Sequence, residues 1–278
     1  MINEIREPQY AGTFYPKDPE DLKKRVDDLL SHEGEGLKHN PFIGLIVPHA
    51  GIQYSGKTAA HGFGLLKGKK FETVVLLGPS HFANFKGALV DLRKGWRTPL
   101  GIASIDQELG KEMMRSFLSR GLLQSNTRVF DGEHSLEVEI PFLQRVNPSF
   151  QFLPLLIGDL DRNTCESLAW TLLSFYKDHS LCFIASSDLY HGYDEEECLR
   201  SDTRLLSMIQ NLEIEPLAES LFHYPPPACG AAAIFTLLLV AKELEVEKIQ
   251  ILHRTHSGEV TGAHSGYVVG YASLSLSG

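Results

Sequence analysis

Four histidines and one cysteine stand where a side chain can do chemistry: His49, His81, His134, His191 and Cys229. Three of the histidines follow apolar runs. Residues 42–47 lead through Pro48 to His49, 73–77 through Gly78-Pro79-Ser80 to His81, and 183–186 through Ser187-Asp188-Leu189-Tyr190 to His191. Such runs, bounded by turn-forming residues, predict strands buried on both faces. Proline cannot donate to a sheet, so the first strand ends at Pro48. Open α/β sheets take their ligands at the carboxyl ends of these strands. A lone histidine in such a place is most often satisfied by a backbone bond. Several at one end of a sheet point instead to a site.

Cys229 follows Pro225-Pro226-Pro227 and Ala228 and precedes Gly230. That places it at a predicted helix N-terminus, where the dipole favours a thiolate. Two imidazoles and a thiolate suit zinc, copper or iron. With zinc and a bound water the same set is hydrolytic. Without a metal, Cys229 is a nucleophile with a histidine as its base. The residues alone leave these alternatives open. Of the other histidines, His32, His39 and His179 read as surface and His61 as structural, while His253, His256 and His264 flank the last strands. Cys165, Cys182 and Cys198 read as packing residues.

The surrounding chain alternates strands and helices. Asp18-Pro19-Glu20-Asp21 supplies a cap and an acidic first turn, and Leu22, Val26, Leu29 and Leu30 follow at helical spacing. Residues 31–41 predict a loop and 55–66 a short helix. Segments 87–92 and 101–105 predict β structure joined through a turn at Arg97-Thr98-Pro99-Leu100. Helices are expected over 106–118, over 131–144 with a cap near Ser135, over 161–176, from 194 to about 211, and from 229–230 to about 244. Further strands are expected at 152–157, 248–252 and 267–273. The expected fold is α/β, a single domain over residues 1–278, with a mostly parallel central sheet and helices on both faces.

A chain of 278 residues with 43% hydrophobic and 22% charged residues can bury a sizeable core. The net charge of -9, with no basic stripe, argues against a nucleic-acid partner. The four cysteines form no CxxC pair, which excludes a zinc ribbon or disulfide framework and fits a reducing, cytoplasmic setting. No basic-then-apolar leader opens the sequence, and the longest apolar stretch, 231–241, is too short to span a bilayer. No membrane partner is expected.

Several of these stretches resemble, in order, the motifs of the Memo family. They are Pro48-His49-Ala50-Gly51, Gly78-Pro79-Ser80-His81, Glu133-His134-Ser135 with Glu137 and Pro141, Ser186-Ser187-Asp188 with His191, and Cys229-Gly230. The leader Ala11-Gly12-Thr13-Phe14-Tyr15-Pro16 and the Arg97 turn match as well, so the resemblance covers nearly the whole chain. It implies a fold similar to that of the class III (LigB-like) extradiol dioxygenases. It also implies metal positions at His49, His81 and Cys229, the last where the dioxygenases carry a glutamate. By the same resemblance His191 and His134 fall near the two acid–base histidines, and Asp188 stands behind them to orient a histidine.

The implied cofactor is iron or copper, with zinc as a third choice, and the implied activity is metal-dependent redox chemistry. A thiolate ligand favours copper(I), binds iron more covalently than a carboxylate does and is itself oxidisable, which argues against plain ring cleavage. Two alternatives accompany this reading. One is a non-catalytic protein that uses the ancestral pocket to recognise a peptide or protein; the other is a zinc-dependent hydrolase. Bacterial and archaeal members are described as AmmeMemoRadiSam system protein B, which implies AMMECR1-like and radical SAM proteins as partners.

Overall fold

A computed structural model of the chain describes residues 4–31, 42–118, 123–158, 161–263 and 265–278. Apart from Ser31, the loop expected over 31–41 lies outside the described residues, with His32 and His39, and so does His264.

The chain begins with β1 (Ile5–Arg6), α1 (Pro19–Ser31), β2 (Phe42–Val47), α2 (Gly56–Gly64), β3 (Thr73–Pro79) and β4 (Ala88–Val90). Next come β5 (Gly95–Thr98), β6 (Gly101–Ile105), α3 (Gln107–Leu118), β7 (Leu123–Ser125), α4 (Thr127–Asp131) and α5 (Ile140–Val146). Then follow β8 (Gln151–Ile157), α6 (Arg162–Tyr176), β9 (Leu181–Ser186), β10 (His191–Gly192), α7 (Glu195–Gln210) and α8 (Ile214–Leu221). The chain closes with α9 (Ala231–Glu243), β11 (Lys248–His256), α10 (Ser257–Thr261) and β12 (Val268–Ser277).

Among the described residues twelve strands form one sheet, whose main path is β1-β5-β6-β8-β3-β9-β2-β12-β10. The central strands β6, β8, β3, β9 and β2 run parallel. Antiparallel pairs β5–β6, β2–β12 and β11–β12 flank them. Every residue of β2 and β9 is buried, as a parallel strand covered on both faces requires. Gly44 serves the β2–β9 contact directly, because a Cβ there would collide with the carbonyl of Phe183.

Helices cover both faces. In β11, His253 Nδ1 lies 3.0 Å from Thr58 Oγ1 of α2, while the next residue, Arg254, donates to Thr203 of α7 at 2.8 Å. Adjacent side chains of a strand point to opposite faces, so α2 and α7 lie on opposite sides of the sheet. The predicted helix starts hold. Asp18 accepts from the N–H groups of Glu20 and Asp21, Asp161 from Thr164 and Asp194 from Glu197. Among the described residues no helix is long and apolar enough to cross a membrane.

Two expectations are corrected. The partner of β6 is β5, not segment 87–92; the hairpin turns at Pro99-Leu100, and β4 pairs instead with β7 and β8. The helix expected over 131–144 is broken as well. α4 ends at Asp131, a 3-10 turn covers Glu137–Glu139, and α5 starts afresh at Ile140. Pro141 explains the restart, since proline fits the first turn of a helix but not its interior. Ser135 caps nothing; its hydroxyl donates to Pro79 O at 3.1 Å.

Candidate metal centre

The register of the parallel strands brings their carboxyl ends level. Val47 of β2 lies opposite Ser186 of β9, and Leu77 of β3 opposite Ala185. His49 and His81 each follow the end of their strand by two residues. Among the described residues, two groups place three potential ligand atoms within 4.8 Å of one another. They are His49, His81 and Cys229, and His81, Glu133 and His134.

His49 is 1% exposed. Its Nδ1 lies 2.8 Å from Ser186 Oγ and its Nε2 3.2 Å from Cys229 Sγ. Asp188 Oδ1 accepts the main-chain N–H of His49 at 2.9 Å and of Ala50 at 3.2 Å. The carboxylate therefore fixes the backbone of the turn. Ser186, rather than Asp188, bonds the His49 ring. Burial, and then the neighbouring His81, lower the His49 pKa to about 3, so the ring is neutral at pH 7.

The second imidazole has a stronger partner. His81 Nδ1 lies 2.8 Å from Glu133 Oε1, and its main-chain N–H donates to Oε2 at 2.6 Å. Glu133 also accepts the N–H groups of His134 and Ser135, each at 2.9 Å. Burial acts to raise the Glu133 pKa, but the ring and backbone of His81 and the N–H of Ser135 outweigh it and hold it at about 2. With four donors around it, Glu133 is already satisfied. We therefore read the second ligand group as support for His81 rather than as a separate cation site.

Cys229 is half-buried. Its Sγ accepts the Asp188 N–H at 3.2 Å, and Gly230 N–H donates to Ser187 Oγ at 2.8 Å. A Cβ at Gly230 would strike Ser186 O and Ser187, so glycine lets α9 start against the tip of β9. Cys229 thus stands at a helix start as expected, but the thiolate does not follow from the dipole alone. Burial and the Asp188 carboxylate push the thiol pKa up. A cation beside the sulfur inverts that balance.

His134 stacks on His81 with centroids 4.4 Å apart and an interplanar angle of 22°. Tyr10 and Phe14 of the leader pack on its ring at 5.3 and 4.8 Å. Burial, then His49 and His81, lower its pKa to about 4. The leader is anchored by Glu137, which pairs with Arg6 and accepts the Tyr15 hydroxyl and the N–H groups of Gln9 and Tyr10. Arg6 also donates to Phe130 O and Glu133 O, each at 2.8 Å. His191 stands outside both ligand groups. It sits in β10 opposite Val269, is exposed, and its Nδ1 is 2.8 Å from Leu189 O.

The supporting residues Ser186, Glu133 and Glu139 were not assigned roles from the sequence. Glu139 carried the clearest signal, an acid between apolar Val138 and Ile140 that ends up fully buried. In chemical terms the centre offers two neutral-capable imidazoles, each with its outer nitrogen engaged, and one thiol. That donor set fits a soft or borderline transition metal.

A family model described as Memo-like protein matches residues 6–275. A MEMO1 family protein of Thermoplasma volcanium is 34% identical over 271 residues, covering 97% of each chain. One from Methanosarcina barkeri is 32% identical over 273 residues, covering 97% of this chain and 99% of its own. Among solved structures, an uncharacterized protein of Escherichia coli K12 aligns with a TM-score of 0.57 at 12% identity. The alignment covers 84% of this chain and 99% of that one, and the likeness concerns the fold alone.

Proposed function

The chain belongs to the Memo family, and from that premise we propose a metal-dependent redox protein with iron or copper held by His49, His81 and Cys229. The observation that carries the proposal is the convergence of these three side chains from three separate elements. Each imidazole has its Nδ1 committed to a second group, Ser186 or Glu133, which leaves Nε2 as the nitrogen for a metal. Bound iron or copper would supply one-electron exchange and a Lewis-acidic position for an oxygen-containing reactant.

The chain's own residues would do the rest. His191 Nδ1–H donates to Leu189 O, which would leave Nε2 as the nitrogen that takes or gives a proton near Asp188 and His49. His134, neutral and held between His81 and the leader, is placed to orient or polarise a substrate. Asp188 keeps the His49 turn and the Cys229 sulfur in register through one carboxylate and one N–H. The family premise also proposes AMMECR1-like and radical SAM proteins as partners, which copurification tests directly.

The test is elemental analysis of protein purified without added metal or chelator, beside His49→Ala and Cys229→Ala variants. Stoichiometric iron or copper, lost in both variants, is the expected result. Zinc with no redox response would turn the assignment toward hydrolysis. No metal even after anaerobic reconstitution would overturn it in favour of a binding protein.

A further inference from the structure

We infer that Glu139 is a neutral carboxylic acid that donates to the Ser186 hydroxyl, and that this hydroxyl, its own proton committed to Ser135 O, holds His49 in its Nδ1–H tautomer and so presents Nε2 as a bare lone pair. The purpose of this arrangement rests on the metal reading above; its geometry does not.

Ser186 is fully buried, and its Oγ has three close partners. Ser135 O and Glu139 Oε1 each lie at 2.7 Å, and His49 Nδ1 at 2.8 Å. A hydroxyl carries one proton and two acceptor positions. Ser135 O is a carbonyl and can only accept, so the serine proton goes there. Both other contacts must then donate to Oγ, as an O–H from Glu139 and an N–H from His49. An ionised Glu139 would leave two acceptors competing for one proton, and one short oxygen–oxygen contact with no hydrogen in it.

The rest of the pocket agrees. Glu139 is fully buried, and among the described residues its Oε2 has no hydrogen-bond partner. The carbonyl oxygen of an acid tolerates that; a carboxylate would carry half its charge there unsolvated. Burial raises the Glu139 pKa well above the usual range, and Asp188 adds to the rise against the Ser186 bond. Glu137, two residues earlier on the same 3-10 turn, faces the other way and meets Arg6. One turn therefore carries a paired acid that anchors the leader and an unpaired one that serves the site. Glu139 touches neither substrate nor ligand position, and acts as a positioning residue. Fixing a ligand tautomer through the opposite ring nitrogen is the ordinary work of a group behind a metal-binding histidine.

The test uses full-length protein labelled with 15N-histidine and freed of metal, so that it stands apart from metal binding. Imidazole 15N spectra should show His49 as Nδ1–H in the unmodified protein and in Glu139→Gln, whose amide N–H replaces the acid proton. In Glu139→Met, which fills the space without a donor, Ser135 O still takes the serine proton and His49 should stay Nδ1–H. Metal titrations should place E139Q within about twofold of the parent and E139M up to about 10-fold weaker, since Ser186 then loses one of its three anchors. Infrared difference spectra of the parent against E139Q should show a carboxylic-acid C=O band that persists above neutral pH, which keeps the proposal testable if E139M does not fold. An Nε2–H tautomer in the parent, or an ionised-carboxylate signature with E139Q as weak as E139M, would overturn it. The Nδ1–H tautomer in a protein that takes no metal would remove the metal reading alone.

Discussion

Among the described residues two histidine pairs are stacked. His81 and His134 lie 4.4 Å apart at 22°, and His61 and His253 lie 4.4 Å apart at 11°. Ring geometry does not separate them, and neither does acidity. Burial, followed by a neighbouring histidine, lowers His134 and His61 alike to about 4. Their surroundings differ. The first pair shares the Glu133 carboxylate, which bonds the His81 ring and the His134 backbone, and stands beside His49 and Cys229. The second lies between α2 and β11, with the Thr58 hydroxyl on His253 and the positive charge of Lys57 nearby. A depressed histidine pKa is thus a mark of burial on both sides of the sheet. A buried carboxylate behind the ring and a convergent sulfur mark the candidate site.

The comparison breaks most readily at the ligands. Replacing His81 with Ala should reduce metal affinity by more than about 100-fold, the upper end for losing an outer partner, whereas His253→Ala should leave metal stoichiometry unchanged. Equal losses in both variants, by elemental analysis, would erase the distinction between the pairs. The next effect is on stability. Glu137→Ala strands the buried Arg6 charge and should cost about 3–5 kcal/mol in denaturant unfolding, with the leader released from His134. No stability change would mean that the leader is not anchored as described.

A subtler variant sharpens the role of the shared carboxylate. Glu133→Gln keeps the shape but replaces an acceptor of four N–H groups by an amide, and should weaken metal binding by about 10–100-fold with all three ligands intact. The smallest effect belongs to the second pair. The folded His61 pKa of about 4 lies below its ordinary 6.5, so the unfolded chain takes up this proton first. Stability is therefore whole above pH 6.5 and declines as pH falls toward 4. His61→Phe removes that titration and should shift the onset of acid unfolding modestly downward, as circular dichroism would record. An upward shift would assign the pair a stabilising proton instead.

The convergence of the three candidate side chains was legible in the sequence because they sit at chain-local landmarks. Pro48 and Pro79 mark strand ends, and the prolines before Cys229 mark a helix start; each is written within a few residues of the side chain it places. The supports were not legible, since Glu133 meets His81 across 52 residues and Ser186 meets His49 across 137. No local pattern encodes such contacts. The same limit explains the fold. The buried parallel strands announce themselves by continuous apolar runs, whereas β5 and β7 are short and mixed in character and take their place from their neighbours. Segment 131–144 does not form one helix because Pro141 fits only a first turn, and its backbone chemistry decides where α5 can begin.

One contact carries a consequence for timing. His49 and Cys229 meet across 180 residues, at the two ends of one three-membered cluster. At roughly 5–20 residues per second of synthesis, His49 waits about 10–40 s for its sulfur neighbour to be made. Through that interval the cluster has its imidazoles but not its thiol. An ion that requires all three can be captured only once Cys229 has been made. A bridge between these residues would also close a loop of 180 residues, and would hold an early strand to a late helix for as long as it lasts.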